Sequence, residues 1–252
     1  VESEVIEWAK EKAEEIDGLK KSEVYRREFL GNVSHELKTP IFNIQGYLYT
    51  LLDGAWEDST MCVKYLEKAV KNTDRLSAIV EDLEIISQHE AGELEMNWSS
   101  FLIYDLAKEV FEASEMRAEK YQVKLVFKEG IKLTAKVYAD REKIRQVLDN
   151  LVSNAIKYND KDGKVKVGIY DMHDRVLIEV ADDGIGMDEK HLPRLFERFY
   201  RVDTSRSRQQ GGSGLGLAIV KHILEAHNER IHVRSKPKVG TTFGFTLKKG
   251  KE

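Results

Sequence analysis

Apolar residues in the first part of the chain recur at spacings of three and four. Spacing of this kind puts side chains on one face of an α-helix, so we expect a long helix with one buried stripe. Pro40 lies within the pattern and is expected to kink the helix, because proline removes a backbone hydrogen bond. The stripe consists of Leu30, Val33, Leu37, Ile41, Ile44, Leu48 and Leu51.

A second helical pattern runs from about residue 60 to residue 87, after a turn near residues 53–59. Two helices joined by a short turn form a hairpin. One hairpin offers too little core to bury both stripes, whereas two hairpins paired in a four-helix bundle bury both. We therefore expect a homodimer through residues 1–90.

The pattern changes after a polar linker at residues 91–98. Helical periodicity now alternates with short strand-like runs in which apolar residues occupy every second position. Helices interleaved with antiparallel hairpins predict a two-layer α/β sandwich over residues 99–252. The predicted helices lie at about 102–121, 141–157 and 214–226, and the predicted strands lie near 123–127, 165–169, 176–180, 231–233 and 243–247.

Composition narrows the possible functions. The 252 residues carry a formal net charge of −4, with no basic excess that would predict nucleic-acid binding. Cys62 is the only cysteine, which excludes an intrachain disulfide and disfavours a cysteine-based metal site. No apolar run approaches the roughly 20 residues that span a bilayer. We expect these residues to be cytoplasmic without membrane contact; since the chain begins with Val1, a longer, inner-membrane-anchored parent protein stays open.

His35 is predicted to lie opposite the apolar stripe. It is two residues from both Val33 and Leu37, and each helical residue turns about 100°. We expect its ring to be exposed and able to react, with Thr39 one turn later on the same face. The neighbouring carboxylate, Glu36, can set the ring's tautomer or take its proton. Taken alone, the pattern also fits an ordinary surface histidine.

Two glycine-rich segments predict a nucleotide pocket. Asp182 follows a predicted strand and precedes two glycines, so its carboxylate can accept a hydrogen bond from the exocyclic amine of a base. Residues 211–217 open a helix, where free backbone N–H groups bind phosphate. This segment does not match a P-loop. Each segment alone also fits an ordinary turn or a flexible linker.

A polar helix face adds a candidate metal and phosphate site. Asn150, Asn154 and Lys157 are spaced at i, i+4 and i+7, so they share one side of a helix. Amide oxygens suit Mg²⁺, which completes its coordination with water and phosphate. Lys157 adds a positive charge for phosphate. The alternative is a solvated helix face.

Together, residues 22–248 resemble the sensor histidine kinases of two-component systems. The segments SHELKTP, NLVSNAIKY, DDGIG, FERFYR and GSGLGL occur in the order and spacing of that family. The resemblance implies a signalling helix at 1–21, a dimerisation and histidine-phosphotransfer domain at 22–90, and a catalytic ATP-binding domain at 99–252. The ATP-binding domain would have the sandwich fold shared by gyrase, Hsp90, histidine kinases and MutL.

The resemblance also implies the reaction, an ATP-dependent autophosphorylation of His35 followed by transfer to an aspartate of a response regulator's receiver domain. Glu36 would be the acid–base partner of His35, and Arg201 would assist transfer of the γ-phosphoryl group. Thr39 completes the family's phosphatase motif, which implies that the protein also dephosphorylates its regulator.

The same resemblance assigns the ligands of the pocket. Asn154 with Asn150 would hold Mg²⁺, Lys157 and Tyr158 would border the phosphates and sugar of ATP, and Asp182 would bind the adenine amine. The remaining pocket residues would be Gly184, Gly186, Gly212, Ser213, Gly214, Leu215 and Gly216.

Two departures and two alternatives accompany this interpretation. The family's last glycine motif is reduced here to GTTF at residues 240–243. Family members often carry His-Gly-Gly where residues 227–229 read HNE, a turn expected to need Asn228 in a left-handed conformation. Hydrolytic ATPases of the same superfamily place a glutamate where Asn150 stands; since asparagine cannot act as a general base, transfer is favoured over hydrolysis. A non-catalytic dimeric scaffold is the other alternative, disfavoured by the intact motifs.

Overall fold

The computed structural model describes residues 2–92, 95–202 and 213–250 and divides the chain into two compact units. The first unit ends at Glu81 and the second begins at Asp82. Among the described residues, no helix combines the length and apolarity needed to cross a bilayer.

The first unit is the expected helical hairpin. Helix α1 spans Glu2–Leu52 and continues through Pro40. A short 3-10 turn, Ala55–Glu57, leads to helix α2, Ser59–Ala91, whose last turns belong to the second unit. Asp58 caps α2, because its Oδ1 accepts a hydrogen bond from the Thr60 backbone N–H at 2.8 Å.

The apolar stripe of α1 is only partly buried within one chain. Leu51 is buried, but Leu30 and Leu48 remain 55% and 45% exposed. Polar contacts also join the two helices. We call them the polar ladder: Glu36 with Arg75, Asn43 with Asn72, and Lys68 over the ring of Tyr47.

The described residues of the second unit form a five-stranded sheet, a separate strand pair, three α-helices of its own and the 3-10 helix Glu189–Arg194. The sheet order is β2-β4-β5-β7-β6, antiparallel except for the parallel pair β2–β4. Strands β1 and β3 form a separate antiparallel pair, which the sequence analysis did not predict. The helices are α3 (Ile103–Tyr121), α4 (Arg141–Lys157) and α5 (Gly216–Ala226). The strands are β1 (Trp98–Leu102), β2 (Lys124–Phe127), β3 (Lys136–Asp140), β4 (Lys164–Met172), β5 (Arg175–Asp182), β6 (Ile231–Lys236) and β7 (Gly240–Lys248).

Helix α4 is the centre of this two-layer arrangement and carries the predicted polar face. Asp140 caps its start by accepting a hydrogen bond from the Lys143 backbone N–H at 3.0 Å. Leu148 and Leu151 are fully buried on its core side, while Asn150 is only half-buried. The apolar face therefore fixes how α4 is rotated and leaves the asparagine side available to a ligand.

The turn after α5 agrees with the expectation for the departure at residues 227–229. Asn228 has a φ of 58°, in the left-handed region. The side chain of His227 is buried, and its Nε2 accepts a hydrogen bond from the Asp140 backbone N–H at 3.1 Å. This contact joins the end of α5 to the start of α4.

Candidate phosphotransfer and nucleotide-binding sites

In the first unit, His35 lies on an exposed part of α1, as the helical spacing predicted. The Thr39 hydroxyl donates a hydrogen bond to the His35 backbone carbonyl at 3.1 Å. The two side chains therefore occupy the same face, one turn apart. An exposed imidazole with a hydroxyl beside it is accessible to a phosphoryl donor and to a docking protein.

Glu36 is directed toward the second helix of the hairpin. Its Oε2 accepts a hydrogen bond from Arg75 Nη2 at 2.9 Å, and the two side chains are 18% and 33% exposed. The sequence analysis missed Arg75. No local pattern reveals it, because its partner lies 39 residues earlier in the chain.

Asp182 ends strand β5 in the second unit. Its Oδ1 accepts hydrogen bonds from the backbone N–H groups of Gly184 at 3.0 Å and Thr241 at 3.1 Å. Burial raises the pKa of the Asp182 carboxyl to about 6, although these two hydrogen bonds favour its ionised form. Thr241 was not predicted to take part in the site, because it approaches from β7, far away in sequence.

The turn after Asp182 packs against the end of α4. The Ile185 backbone N–H donates to the Tyr158 carbonyl at 3.2 Å. A Cβ on Gly184 would lie 2.7 Å from Asn159 Cα, so only glycine allows this approach. The carboxylate and the end of α4 are thereby held together at the carboxyl end of β5, and Lys157 Nζ lies 4.8 Å from the Tyr158 ring centroid.

The start of α5 meets the asparagine face of α4. Asn150 Nδ2 donates to the Gln146 carbonyl at 3.0 Å, which turns Oδ1 toward Gly216. A Cβ on Gly216 would lie 2.5 Å from that oxygen, so a larger residue there would displace the Asn150 side chain. Ser213 Oγ accepts from the Leu215 backbone N–H at 3.2 Å, and Leu215 is fully buried.

The other predicted pocket residues are placed as follows. Gly186 and Gly214 have positive φ angles of 62° and 76°. Asn154 is half-buried on α4. Gly212 lies outside the described residues.

Arg201 supplies a positive charge near Tyr158. Its positive charge favours the ionised form of Tyr158, although burial is the larger effect and raises the pKa of that phenol. Arg201 Nη2 is buried and has no hydrogen-bond partner within the described parts of the chain. A buried guanidinium N–H group without a partner is costly, and an anionic ligand such as a phosphate would satisfy it.

A different cluster in the second unit superficially resembles a metal site. Ligand atoms of His89, His222 and Glu225 lie within 4.8 Å of one another. Two cations already accompany them: Arg198 Nη2 lies 3.3 Å from His222 Nε2, and Lys221 Nζ lies 3.8 Å from Glu225 Oε1. Their positive charges disfavour a divalent metal at this place.

Comparison with known proteins supports two domain families. Residues 25–92 match the His Kinase A (phospho-acceptor) domain. Residues 139–251 match the histidine kinase-, DNA gyrase B- and HSP90-like ATPase family. The sensor histidine kinase WalK of Bacillus subtilis (strain 168) is 37% identical over 224 residues, which are 88% of this chain and 36% of that protein. The chain thus spans about a third of this curated relative.

Solved structures show the same two-part similarity. The histidine kinase ThkA, in complex with the response regulator protein TrrA, is 27% identical with a TM-score of 0.66, over 88% of this chain and 61% of that one. Full-length ShkA in complex with AMPPNP is 25% identical with a TM-score of 0.67, over 89% of this chain and 46% of that one.

Proposed function

This chain belongs to the sensor histidine kinases, and we propose that it catalyses ATP-dependent phosphorylation of His35 and then transfer to an aspartate of a response regulator. The observation that carries the proposal is the exposed imidazole of His35, beside the carboxylate of Glu36, in a chain that also contains an ATPase-family domain. We further propose that these residues act in the cytoplasm, where ATP is available.

The pocket of the second unit would bind both the adenine end and the phosphate end of ATP. The Asp182 carboxylate, oriented by two backbone N–H groups, would accept a hydrogen bond from the adenine amine. Lys157 and Arg201 would face the phosphates, which fits the buried Arg201 Nη2. Tyr158 would border the sugar. The first turn of α5, with Ser213, Gly214, Leu215 and Gly216, would present backbone N–H groups to phosphate oxygens.

A magnesium ion fits the oxygen donors of α4. Asn150 and Asn154 would hold it, and the available amide oxygen of Asn150 supports this assignment. When bound, the ion would neutralise charge on the phosphates during transfer. Asn150 cannot remove a proton from water, which favours transfer to His35 over hydrolysis.

The transfer itself needs a nucleophile and a proton acceptor. One ring nitrogen of His35 would attack the γ-phosphorus, and the bond from phosphorus to the bridging oxygen would break, with its electron pair leaving on ADP. Glu36 would take the proton from the other ring nitrogen, so that phosphohistidine does not carry the extra positive charge.

The partner of the phosphorylated His35 would be a receiver domain. A relative at 27% identity, ThkA, is known in complex with its response regulator protein. We propose that such a domain docks where His35 and Thr39 share an exposed face of α1. The Thr39 hydroxyl would there direct water at the aspartyl phosphate and so remove it.

The hairpin is proposed to act as a homodimer through residues 1–90. Large apolar side chains of α1 and α2 are exposed in the single chain, including Leu48, Leu66 and Val70. Burying apolar area contributes roughly 25 cal/mol per Å², so a second hairpin would stabilise this surface. Sedimentation should give a dimer for the full chain and a monomer for residues 99–252 alone.

Radiolabelled ATP tests the central proposal. The wild-type protein should gain label on the protein that acid removes and base does not, as a phosphoramidate requires. His35→Gln should gain none, while His232→Gln, a change at an exposed histidine of β6, should label normally. Acid-labile label on His35→Gln would show that another residue accepts the phosphoryl group; release of free phosphate alone would indicate a hydrolytic ATPase.

A further inference from the structure

Arg75 makes a contact that the proposed reaction does not yet explain. Its Nη2 lies 2.9 Å from Glu36 Oε2, and both side chains are largely shielded from water. An ion pair in this setting is screened less than one on an open surface. One turn earlier on α2, Asn72 accepts a hydrogen bond from Asn43 at 3.3 Å, which helps to hold the two helices in register around the pair.

We infer that Arg75 is a positioning residue for phosphorylation of His35, an inference that rests on the proposed function. Adjacent residues of a helix point about 100° apart, so a Glu36 carboxylate without an anchor would spend much of its time away from the ring of His35. The guanidinium occupies Oε2 and fixes the end of the side chain. The other carboxylate oxygen is then left to accept the proton.

Arg75 takes part in the transfer only through Glu36. As a ring nitrogen of His35 bonds to the γ-phosphorus and ADP departs with the electron pair, the proton of the other ring nitrogen passes to Glu36. Arg75 neither gains nor loses a proton. Fixing an acceptor in place raises the rate of a step without changing how strongly the substrate binds.

A purely structural role would give a different pattern of effects. An ion pair that only joined α1 to α2 would act like the neighbouring Asn43–Asn72 contact, so that losing either contact would slow labelling. A positioning residue matters only while Glu36 can accept a proton. A double-mutant cycle tests whether Arg75 acts through Glu36, because residues that act as a unit have non-additive effects, and loss of the neighbouring Asn43–Asn72 contact tests a purely structural role.

The experiment measures autophosphorylation and ATP affinity in the full chain for the four members of that cycle: wild type, Glu36→Gln, Arg75→Gln and the double variant. Arg75→Lys keeps the charge at position 75. Asn72→Ala is the matched control, since it removes the neighbouring contact between the helices and leaves the pair intact.

We expect Arg75→Gln to lower the labelling rate by about ten- to a hundredfold with ATP affinity unchanged. Arg75→Lys should recover part of the rate, Asn72→Ala should label normally, and Arg75→Gln should cost nothing further in the Glu36→Gln background. Arg75→Gln at or above the wild-type rate, or an equal loss in both backgrounds, would overturn the inference. Full activity in Glu36→Gln would instead overturn the proposed role of Glu36.

Discussion

The contacts that stabilise the helical hairpin differ in kind from those that stabilise the α/β unit. Between α1 and α2 the structure shows a polar ladder, and apolar side chains such as Phe42 and Leu52 are 63% and 76% exposed. In the α/β unit, residues such as Ile144, Leu148 and Ile219 are completely buried. The α/β unit has its own core, whereas the hairpin displays surface that a second copy would cover.

The same substitution at two leucines tests this contrast most strongly. Leu148→Ala, in the core of the α/β unit, should lower its free energy of unfolding by about 2–5 kcal/mol, whatever the protein concentration. Leu48→Ala, on the exposed stripe, should weaken the dimer, so its effect on thermal stability should grow with protein concentration and level off once both proteins are dimeric. Thermal unfolding over a hundredfold range of concentration makes the comparison. Concentration-independent losses of equal size at both sites would show that the hairpin also has its own core.

Nucleotide binding belongs to the α/β unit and should respond to changes there. Asp182→Asn should weaken ATP binding by about ten- to a hundredfold, even without Mg²⁺, because a hydrogen bond to a charged group is lost. Asp183→Asn is the matched control: Asp183 is exposed, and its Oδ1 accepts from the Lys164 backbone N–H. If calorimetry showed that Asp182→Asn binds ATP as tightly as the wild type, Asp182 would not be part of the binding site.

The raised pKa of Asp182 gives a pH dependence with opposite signs for binding and stability. ATP affinity should fall about tenfold per pH unit below about 6, because the protonated carboxyl accepts the adenine amine poorly. Since the folded-state pKa lies above the ordinary value of 3.8, the contribution of Asp182 to stability is present at low pH and is lost as pH rises through about 6. Unfolding of wild type and Asp182→Asn from pH 4 to 8 isolates this contribution; parallel stability curves would contradict it.

The smallest change in autophosphorylation is expected on the exposed face of the hairpin. Thr39→Ala should alter labelling of His35 by a few-fold at most, since Glu36 rather than Thr39 would accept the proton. Dephosphorylation of the cognate regulator should nevertheless be largely lost. Thr39→Ser keeps the hydroxyl and controls for any change in helix geometry before Pro40. Full phosphatase activity in Thr39→Ala would exclude a role for the hydroxyl.

Local sequence signals predicted the helices of the molecule well. Helix α4 begins and ends where expected, because Asp140 caps its start and a strong apolar face runs along it. Strands β1 and β3 were missed because each has only five residues and they pair across some forty positions, from Trp98 to Asp140. No local pattern encodes such a pairing.

The candidate sites show the same limit. The motifs made His35 and Asp182 candidate site residues, because the signal lies in their neighbours in sequence. Arg75 and Thr241 reach the same two places from α2 and β7, and only the folded chain brings them there. Local motifs therefore cannot predict the charged and backbone groups that distant parts of the sequence contribute to a site.

The polar ladder also limits how the hairpin can move. Sliding α1 along α2 by one turn, about 5.4 Å, would separate the Glu36–Arg75 pair, the Asn43–Asn72 hydrogen bond and the Lys68–Tyr47 cation–π contact at the same time. A small tilt or rotation of the helices would instead strain each contact only slightly. A mechanical input at the start of α1 would thus travel through the hairpin as a twist or a bend more readily than as a piston stroke.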